Sequence, residues 1–403
     1  MPSTINTFPD FTDINNDEHR IAFKNTRGQL NHYALGNVFD GVNYNFSLFK
    51  SSDGVTWSSA GTIRAYATNI LQTASLTFFE DAANSRTVVC VTWWDASGAV
   101  ENIFVEAWPI ADSGTNLGSR LWTATLETDE GRVPVVEIGR RSGREYLWVV
   151  YKFTVTSKGN KGNTLHNVVA KCTTTTFPVT TPTFSARQTI FTNPTHLNQT
   201  WPTIAPLSST HDMLIAWTEG TDNKISGIEY SWNGSAFSSG TSNSATYTAT
   251  STDMSALIVD SSNVGHVVYL SGSTDVLHRK WTVGAGWSSP TTVYSSTETI
   301  NGLNISVDLT SSPNKILVTY SRTPTDGVVY YKTSPVDTIS FSAEQSVTDD
   351  TALLIDFSNY YQDWAGDHNI GVTYTRNVSP TLHRFVLISL AAAAAEEGYA
   401  FML

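Results

Sequence analysis

The segment Val88-Val89-Cys90-Val91-Thr92-Trp93 decides the fold, because its pattern recurs along the whole chain. Each copy is a run of β-branched or other apolar residues that ends in an aromatic residue. Further copies lie at 213–217, 266–269 and 316–320. The terminal aromatics are 51 to 66 residues apart, and they are Tyr33, Trp93, Tyr151, Trp217, Tyr269, Tyr320 and Tyr374. A period of this length is typical of one four-stranded sheet per repeat.

The flanks of each copy carry three more strand patterns, with Gly, Ser, Asn or Asp at the turns between them. We therefore predict an all-β chain that forms a single β-propeller of about seven four-stranded blades. The first copy is weak, so six or eight blades remain open. A solenoid is the alternative, but solenoids have shorter periods and polar capping repeats.

The propeller is predicted to occupy residues 1–390. Its last repeat lacks a fourth strand, which we expect the N-terminal segment to supply, so that the ring closes without an open edge. The predicted blades span 18–65, 70–125, 131–192, 200–250, 254–296, 301–348 and 351–390, the last completed by 4–12.

Composition excludes several classes of partner. The chain has a net charge of −12 and only 15% charged residues, and its longest Lys/Arg run is Arg140-Arg141. A protein that binds nucleic acid or an anionic membrane needs a basic stripe, which this sequence lacks. No run of about 18 apolar residues is present, so no membrane span is predicted.

The two cysteines, Cys90 and Cys172, lie far apart and match no metal-binding spacing. Two buried free thiols are one interpretation. A disulfide between neighbouring sheets is the other.

One hairpin is more specific. The residues Ser51, Asp53, Gly54, Thr56 and Trp57 follow the order Ser-x-Asp-Gly-x-Thr-Trp. In such a turn the carboxylate accepts backbone amides, glycine permits a positive φ, and the indole packs into the sheet. The motif resembles the Asp box of sialidase-like β-propellers, and weaker copies occur at 231–237 and 284–287.

In that family the Asp box is structural and lies on the face away from the active site. The resemblance therefore implies a fold and no chemistry. Sialidases also carry an Arg-Ile-Pro motif before the Asp box. The nearest match here, Arg132-Val133-Pro134, comes after it, so we predict a non-catalytic member.

Candidate ligand-binding residues follow from the repeat. The position two residues after each aromatic is expected on the face that carries ligands in propellers, and four of these residues are charged: Asp95, Glu219, Arg322 and Arg376. Arginine suits a carboxylate or sulfate, so an acidic glycan is a coherent ligand. Asp95 and Glu219 have the chemistry of an acid/base pair. The alternative is that all four are ordinary turn residues that pair with one another.

No cofactor is predicted, although one loop is rich in oxygen ligands. Ca²⁺ prefers such ligands, but the spacing is not that of a recognised calcium loop, and a polar turn is the alternative. The residues are Asp10, Asp13, Asn15, Asn16, Asp17 and Glu18.

The chain is rich in Ser and Thr and poor in Lys, which is typical of extracellular proteins, yet it starts without the charged and apolar regions of a secretory signal. This combination is similar to that of phage tail and capsid surface proteins. The apolar tail at 391–403 is expected to dock on a protein partner. We therefore predict a non-catalytic propeller of a virus particle or extracellular assembly that contacts a protein or a surface glycan. The alternative is a glycoside hydrolase or lyase that acts on acidic glycans.

Overall fold

The structure is a computed structural model of the 403-residue chain. It describes residues 3–8, 21–25, 27–68, 71–95, 102–128, 131–141, 143–156, 164–178, 180–193, 202–219, 223–247, 255–323, 328–347, 354–359, 362–363, 367–376 and 381–390. Within these ranges the regular elements are β-strands and one 3-10 turn at Ala82–Asn84. None of the described residues forms a helix with the length and hydropathy needed to cross a bilayer.

The strands in the described part of the chain pair into seven sheets. The chain opens with strand β1 (Ser3–Phe8), which belongs to the last sheet. Sheet 1 contains β2 (Ala22–Lys24), β3 (His32–Phe39), β4 (Tyr44–Ser51) and β5 (Ser58–Tyr66). Sheet 2 contains β6 (Leu71–Asp81), β7 (Arg86–Asp95), β8 (Asn102–Ala111) and β9 (Trp122–Glu127). Sheet 3 contains β10 (Gly131–Ile138), β11 (Leu147–Thr156), β12 (Thr164–Cys172) and β13 (Gln188–Asn193).

Sheet 4 contains β14 (Pro202–Pro206), β15 (Met213–Glu219), β16 (Lys224–Trp232) and β17 (Phe237–Thr246). Sheet 5 contains β18 (Ser255–Val259), β19 (Gly265–Ser271), β20 (Asp275–Thr282), and the short β21 (Gly286–Trp287) and β22 (Thr291–Ser295), which both pair with β20. Sheet 6 contains β23 (Thr299–Asp308), β24 (Lys315–Thr323), β25 (Val329–Pro335) and β26 (Gln345–Ser346). Sheet 7 contains β27 (Leu354–Asn359), β29 (Asn369–Arg376), β30 (Thr381–Ser389) and β1, while β28 (Gln362–Asp363) runs parallel to β23.

The sheets form a ring. The first strands of consecutive sheets lie against one another, from β6 and β10 through β14 and β18 to β23 and β27. At the end of the chain, β30 pairs antiparallel with β1, with Ser3 opposite Phe385 and Phe8 opposite Thr381. Strand β1 thus forms the outer strand of the last sheet.

The core lies between the sheets, because each apolar cluster is shared by neighbouring sheets. One cluster joins Tyr33 of sheet 1 to Trp93 of sheet 2, and the next joins Cys90 to Val149 of sheet 3. Packing on both faces explains why β15 and β19 are buried along their whole length. The outer strand β17 instead has mostly exposed or half-buried residues. The prediction of an all-β propeller with four-stranded blades is confirmed.

The Asp53 turn has the hydrogen bonds that its sequence predicts. Asp53 Oδ1 accepts the backbone amides of Val55 and Thr56, each at 2.8 Å, and the Ser51 hydroxyl at 2.9 Å. Gly54 has φ +70°, and the Trp57 indole donates to its carbonyl at 3.3 Å. In the weaker copy, Asn233 Oδ1 accepts the amides of Ser235 and Ala236 at 3.0 and 2.8 Å.

Cys90 and Cys172 are buried and free, so the disulfide interpretation is wrong. The oxygen-rich loop at 10–18 and the tail at 391–403 lie outside the described residues.

Candidate functional site

Several interfaces between consecutive sheets contain a pair of aromatic rings. One ring comes from the outer strand of one sheet or the residue after it, and the other from the second strand of the next. The ring centroids are 5.3 Å apart for Phe191 and Trp217, 5.7 Å for Tyr247 and Tyr269, and 4.9 Å for Tyr294 and Tyr320. The second-strand members are the repeated aromatics of the sequence pattern, so the repeat places a ring at the same point of each of these interfaces.

Between sheets 3 and 4 this point opens into a cavity of about 650 Å³. Four strands form its walls: β13 of sheet 3, and β15, β16 and β17 of sheet 4. Its lining includes Phe191, Trp217, Glu219, Lys224, Ser226 and Ser244. The cavity therefore combines aromatic rings, hydroxyl groups and one charge of each sign.

Glu219 lies in this cavity at the end of β15, with only 7% of its surface exposed. The indole of Trp217 donates to Glu219 Oε1 at 3.1 Å, and the Ser226 hydroxyl donates to the same oxygen. Both donors are neutral, and among the described residues no ion pair involves Glu219. The second oxygen, Oε2, receives no hydrogen bond from the described part of the chain, which leaves an acceptor for a ligand.

Several hydroxyl groups lie between Glu219 and the rim of the cavity. Ser226 also contacts the hydroxyl of Ser244 on the outer strand, at 2.7 Å between oxygens. Thr192, Asn243 and Ser244 line the cavity and are exposed. These groups offer both donors and acceptors to a polar ligand.

Arg322 lies in a different interface, between sheets 5 and 6. Its guanidinium is 2.9 Å from Glu298 and 3.2 Å from Glu344, and it donates to the Tyr294 hydroxyl at 2.8 Å. It also stacks on Tyr330, 3.7 Å from the ring centroid. The arginine expected to grip an acidic ligand is thus held by two carboxylates of its own chain.

Asp95 is buried at the end of β7, beside Tyr66 of sheet 1. The Tyr66 hydroxyl accepts the indole N–H of Trp93 at 2.7 Å. Burial, followed by the nearby charge of Asp95, raises the pKa of Tyr66. Arg376 ends β29, where its backbone pairs with Leu354 and Leu382, and its side chain lies outside the described residues.

Three of these charged residues, Asp95, Glu219 and Arg322, lie at different interfaces between sheets. Asp95 lies near sheet 1, Glu219 faces sheet 3 and Arg322 faces sheet 5, so the expected acid/base pair has its two members in separate interfaces. Among the described residues, no three His, Cys, Asp or Glu side chains group as metal ligands do. The cavity has the chemistry of a binding site.

Sequence reasoning identifies Glu219 but not the residues around it. Phe191 and Ser244 come from other strands, 28 and 25 positions away, and only the packing of the sheets brings them to Glu219. The sequence does single out Trp217, because it is one of the repeated aromatic residues. Its position two residues before Glu219 places both side chains on the same face of β15.

No protein-family model matches the sequence, and no curated protein matches it either. Solved structures do resemble the chain. A fungal lectin from Aleuria aurantia, described as a six-bladed β-propeller with a novel fucose recognition mode, has 14% identity and a TM-score of 0.47, over 82% of this chain and 96% of the lectin. The NanB sialidase of Streptococcus pneumoniae has 12% identity and a TM-score of 0.46, over 94% of this chain and 70% of the sialidase.

A protein of unknown function from Dyadobacter fermentans has 11% identity and a TM-score of 0.46, over 96% of this chain and 98% of its own. With identities and TM-scores this low, the neighbours carry no argument about the ligand of this chain. The fold rests on its own strand pairing, and the site rests on its own geometry.

Proposed function

We propose that the chain is a carbohydrate-binding β-propeller without glycosidase activity, and that the cavity between sheets 3 and 4 is its sugar site. One observation carries the proposal. Glu219 is a buried carboxylate without an ion pair among the described residues, and its Oε2 has no donor there while the cavity reaches it. An acceptor oxygen that faces a cavity is available to a donor group of a ligand.

A sugar has an apolar face and polar hydroxyl groups, and the cavity offers partners for both. Its C–H face packs on aromatic rings such as Phe191, and its hydroxyl groups donate to a carboxylate. The serine and threonine hydroxyls at the rim are available to hydrogen-bond the remaining hydroxyl groups of the sugar. A volume of about 650 Å³ falls within the range of roughly 300–1,000 Å³ that small-ligand sites occupy, and it admits a mono- or disaccharide.

The same geometry argues against the enzyme alternative. Glycoside hydrolysis needs two carboxyl groups, about 5 to 9.5 Å apart, on either side of the scissile bond. Among the described residues that line the cavity, Glu219 is the single carboxylate. Arg322, the arginine expected to bind an acidic glycan, is engaged by Glu298 and Glu344.

For the setting, we propose the surface of a virus particle or another extracellular assembly, with the apolar segment 391–403 contacting a protein partner. The support is compositional: few charged residues, abundant Ser and Thr, and an apolar C-terminal stretch. A chain that ends at Leu390 should keep its glycan binding and lose its association with the assembly. Unchanged association would contradict this part of the proposal.

A glycan array with three proteins tests the sugar site: the wild type, Glu219→Gln, and Glu80→Gln as a matched control on the exposed end of β6. We expect selective binding by the wild type and the control. Loss of a charged acceptor, worth about 1.5–3 kcal/mol, should weaken binding by Glu219→Gln about tenfold to a hundredfold.

A reducing-sugar assay on the glycans that bind should show no hydrolysis. Absence of any glycan binding, or equal affinity of Glu219→Gln and the wild type, would overturn the assignment of the site. Hydrolysis that depends on Glu219 would overturn the non-catalytic part. Equal urea midpoints of the two variants would show that both are folded.

A further inference from the structure

The interface between sheets 2 and 3 contains an arginine side chain that stacks on a ring and pairs with a carboxylate. Arg187 lies over the ring of Phe153, 3.6 Å from its centroid, and 3.4 Å from each carboxylate oxygen of Glu127. The Tyr151 hydroxyl donates to Glu127 Oε1 at 2.5 Å. An aromatic ring, a carboxylate and a guanidinium thus form one closed unit.

The interface between sheets 5 and 6 repeats this arrangement with different residues. Arg322 lies 3.7 Å from the centroid of Tyr330 and forms ion pairs with Glu298 and Glu344. In both interfaces a guanidinium stacks on an aromatic ring beside a carboxylate, a combination that is favourable through both the cation–π and the charge interaction.

The interface between sheets 3 and 4 also has aromatic rings and a carboxylate, but its described cation, Lys224, forms no ion pair with that carboxylate. Phe191 and Trp217 supply the rings, and Glu219 supplies the carboxylate. Glu219 occupies the strand position that Phe153 and Arg322 occupy in their sheets, two residues after the repeated aromatic. No described residue forms an ion pair with Glu219, and the cavity lies beside it.

We infer that the ligand supplies a cationic partner for Glu219, and that the cavity prefers a sugar with a protonated amine, such as an unacetylated glucosamine unit. The inference rests on the proposed function and narrows its ligand class. Since Glu219 forms no ion pair with a described residue and lines the cavity, an ammonium group bound there would gain a charge-assisted hydrogen bond to it. The ammonium would meet Glu219 Oε2 and the aromatic faces together.

A sugar fits the cavity better than the arginine or lysine of a protein partner. A single side chain would fill only a small part of about 650 Å³. It would also make little use of the exposed hydroxyl and amide groups of Thr192, Asn243 and Ser244, to which the hydroxyls of a sugar ring can donate and from which they can accept.

Lys224 modulates this preference. It lines the same cavity and pairs with Glu219 across the β15–β16 ladder, but no ion pair between the two is recorded. Its ammonium lowers the affinity for a second cation by charge repulsion. Its removal should therefore act in the opposite direction to the removal of the Glu219 charge.

Titration calorimetry with three β-1,4-linked tetramers tests the inference: glucosamine, N-acetylglucosamine and glucose, at a pH where the free amine is protonated. The wild type should bind the glucosamine tetramer about tenfold more tightly than either neutral tetramer, and added salt should reduce the difference. Glu219→Gln should abolish the preference, and Lys224→Met should increase it.

The outcomes separate this inference from the proposed function. Equal binding of the amine and neutral tetramers, or a preference that Glu219→Gln leaves intact, would overturn the inference while the glycan site stands. Binding of an arginine-rich peptide in place of all three tetramers would overturn it in favour of a protein partner. Absence of binding to any glycan of the array would overturn the proposed function itself.

Discussion

The indole of Trp57 packs edge-on against the ring of Phe385, with the centroids 4.9 Å apart and the planes at 66°. The first residue belongs to the Asp53 turn of sheet 1 and the second to β30 of sheet 7. His32 of β3 packs on the same phenyl ring, at 5.5 Å. These side-chain contacts join sheet 1 to sheet 7 and so close the ring of sheets. They lie on β30, the strand whose backbone pairs with β1.

Phe385→Ala should be among the most destabilising single changes in the chain. Phe385 is fully buried, and its removal leaves a cavity beneath Trp57 and His32. Replacement of a buried phenylalanine by alanine costs about 3–5 kcal/mol in the free energy of unfolding. Urea denaturation monitored by tryptophan fluorescence measures this loss.

The matched control is Val42→Ala, because Val42 is 74% exposed on the same sheet as Trp57. This variant should stay within about 0.5 kcal/mol of the wild type. If Phe385→Ala proved equally neutral, the contact between the first and last sheets would not contribute to the stability of the ring.

Acidification should destabilise the protein through its buried histidines. Burial, followed by the charge of Lys24, lowers the pKa of His32 to about 4. Burial also lowers the pKa of His266, which contacts Asp260 at 3.1 Å, and that of His278, which contacts His266 at 3.0 Å. These side chains are therefore neutral in the folded protein at neutral pH.

The direction in which stability changes with pH depends on whether the folded or the unfolded state binds more protons. Above pH 6.5 histidine is neutral in both states, so the stability is fully present. Below that pH His32 of the unfolded chain takes up a proton that the folded protein does not, and the stability falls by about 1.4 kcal/mol per pH unit through this residue. For His32 this decline continues until the pH reaches about 4, a total of about 3 kcal/mol.

Urea denaturation between about pH 7.5 and about pH 4.5, roughly the range in which histidine titrates, measures how the free energy of unfolding changes with pH. His32→Gln should have a shallower dependence on pH than the wild type, whatever its stability at neutral pH. An unchanged slope in this variant would show that His32 is protonated in the folded state.

The thiols of Cys90 and Cys172 should be inert in the folded protein. Burial raises the pKa of both, and the thiolate is the reactive species. Ellman's reagent should therefore find no reactive thiol in the native protein and two in the denatured protein. Fewer than two thiols after denaturation without a reductant would contradict the assignment of both cysteines as free.

The elements that the sequence predicts are those whose chemistry is local. The run that ends in Trp93 shows a fully buried strand because every residue in it is apolar or small. The Asp53 turn is predictable because all the amides that Asp53 accepts lie within three residues of it.

Contacts between sheets are harder to predict, because they join residues that are far apart in the chain. The repeat identifies Glu219 and Arg322 as equivalent positions, and both were expected to meet a ligand. The partners of Arg322 lie 24 and 22 residues away, at Glu298 and Glu344. No pattern within the repeat shows that this arginine forms ion pairs while Glu219, among the described residues, forms none.

Arg322→Gln should therefore lower the stability and leave the glycan affinity unchanged. The substitution removes the cation between Glu298 and Glu344 and the stacking on Tyr330. The two carboxylates are partly solvated, so the loss should be about 1–2 kcal/mol in the free energy of unfolding. Glu219→Gln should show the reverse, with unchanged stability and weakened binding. If Arg322→Gln instead weakened glycan binding without affecting the urea midpoint, the interface between sheets 5 and 6 would be the ligand site, and the cavity beside Glu219 would not.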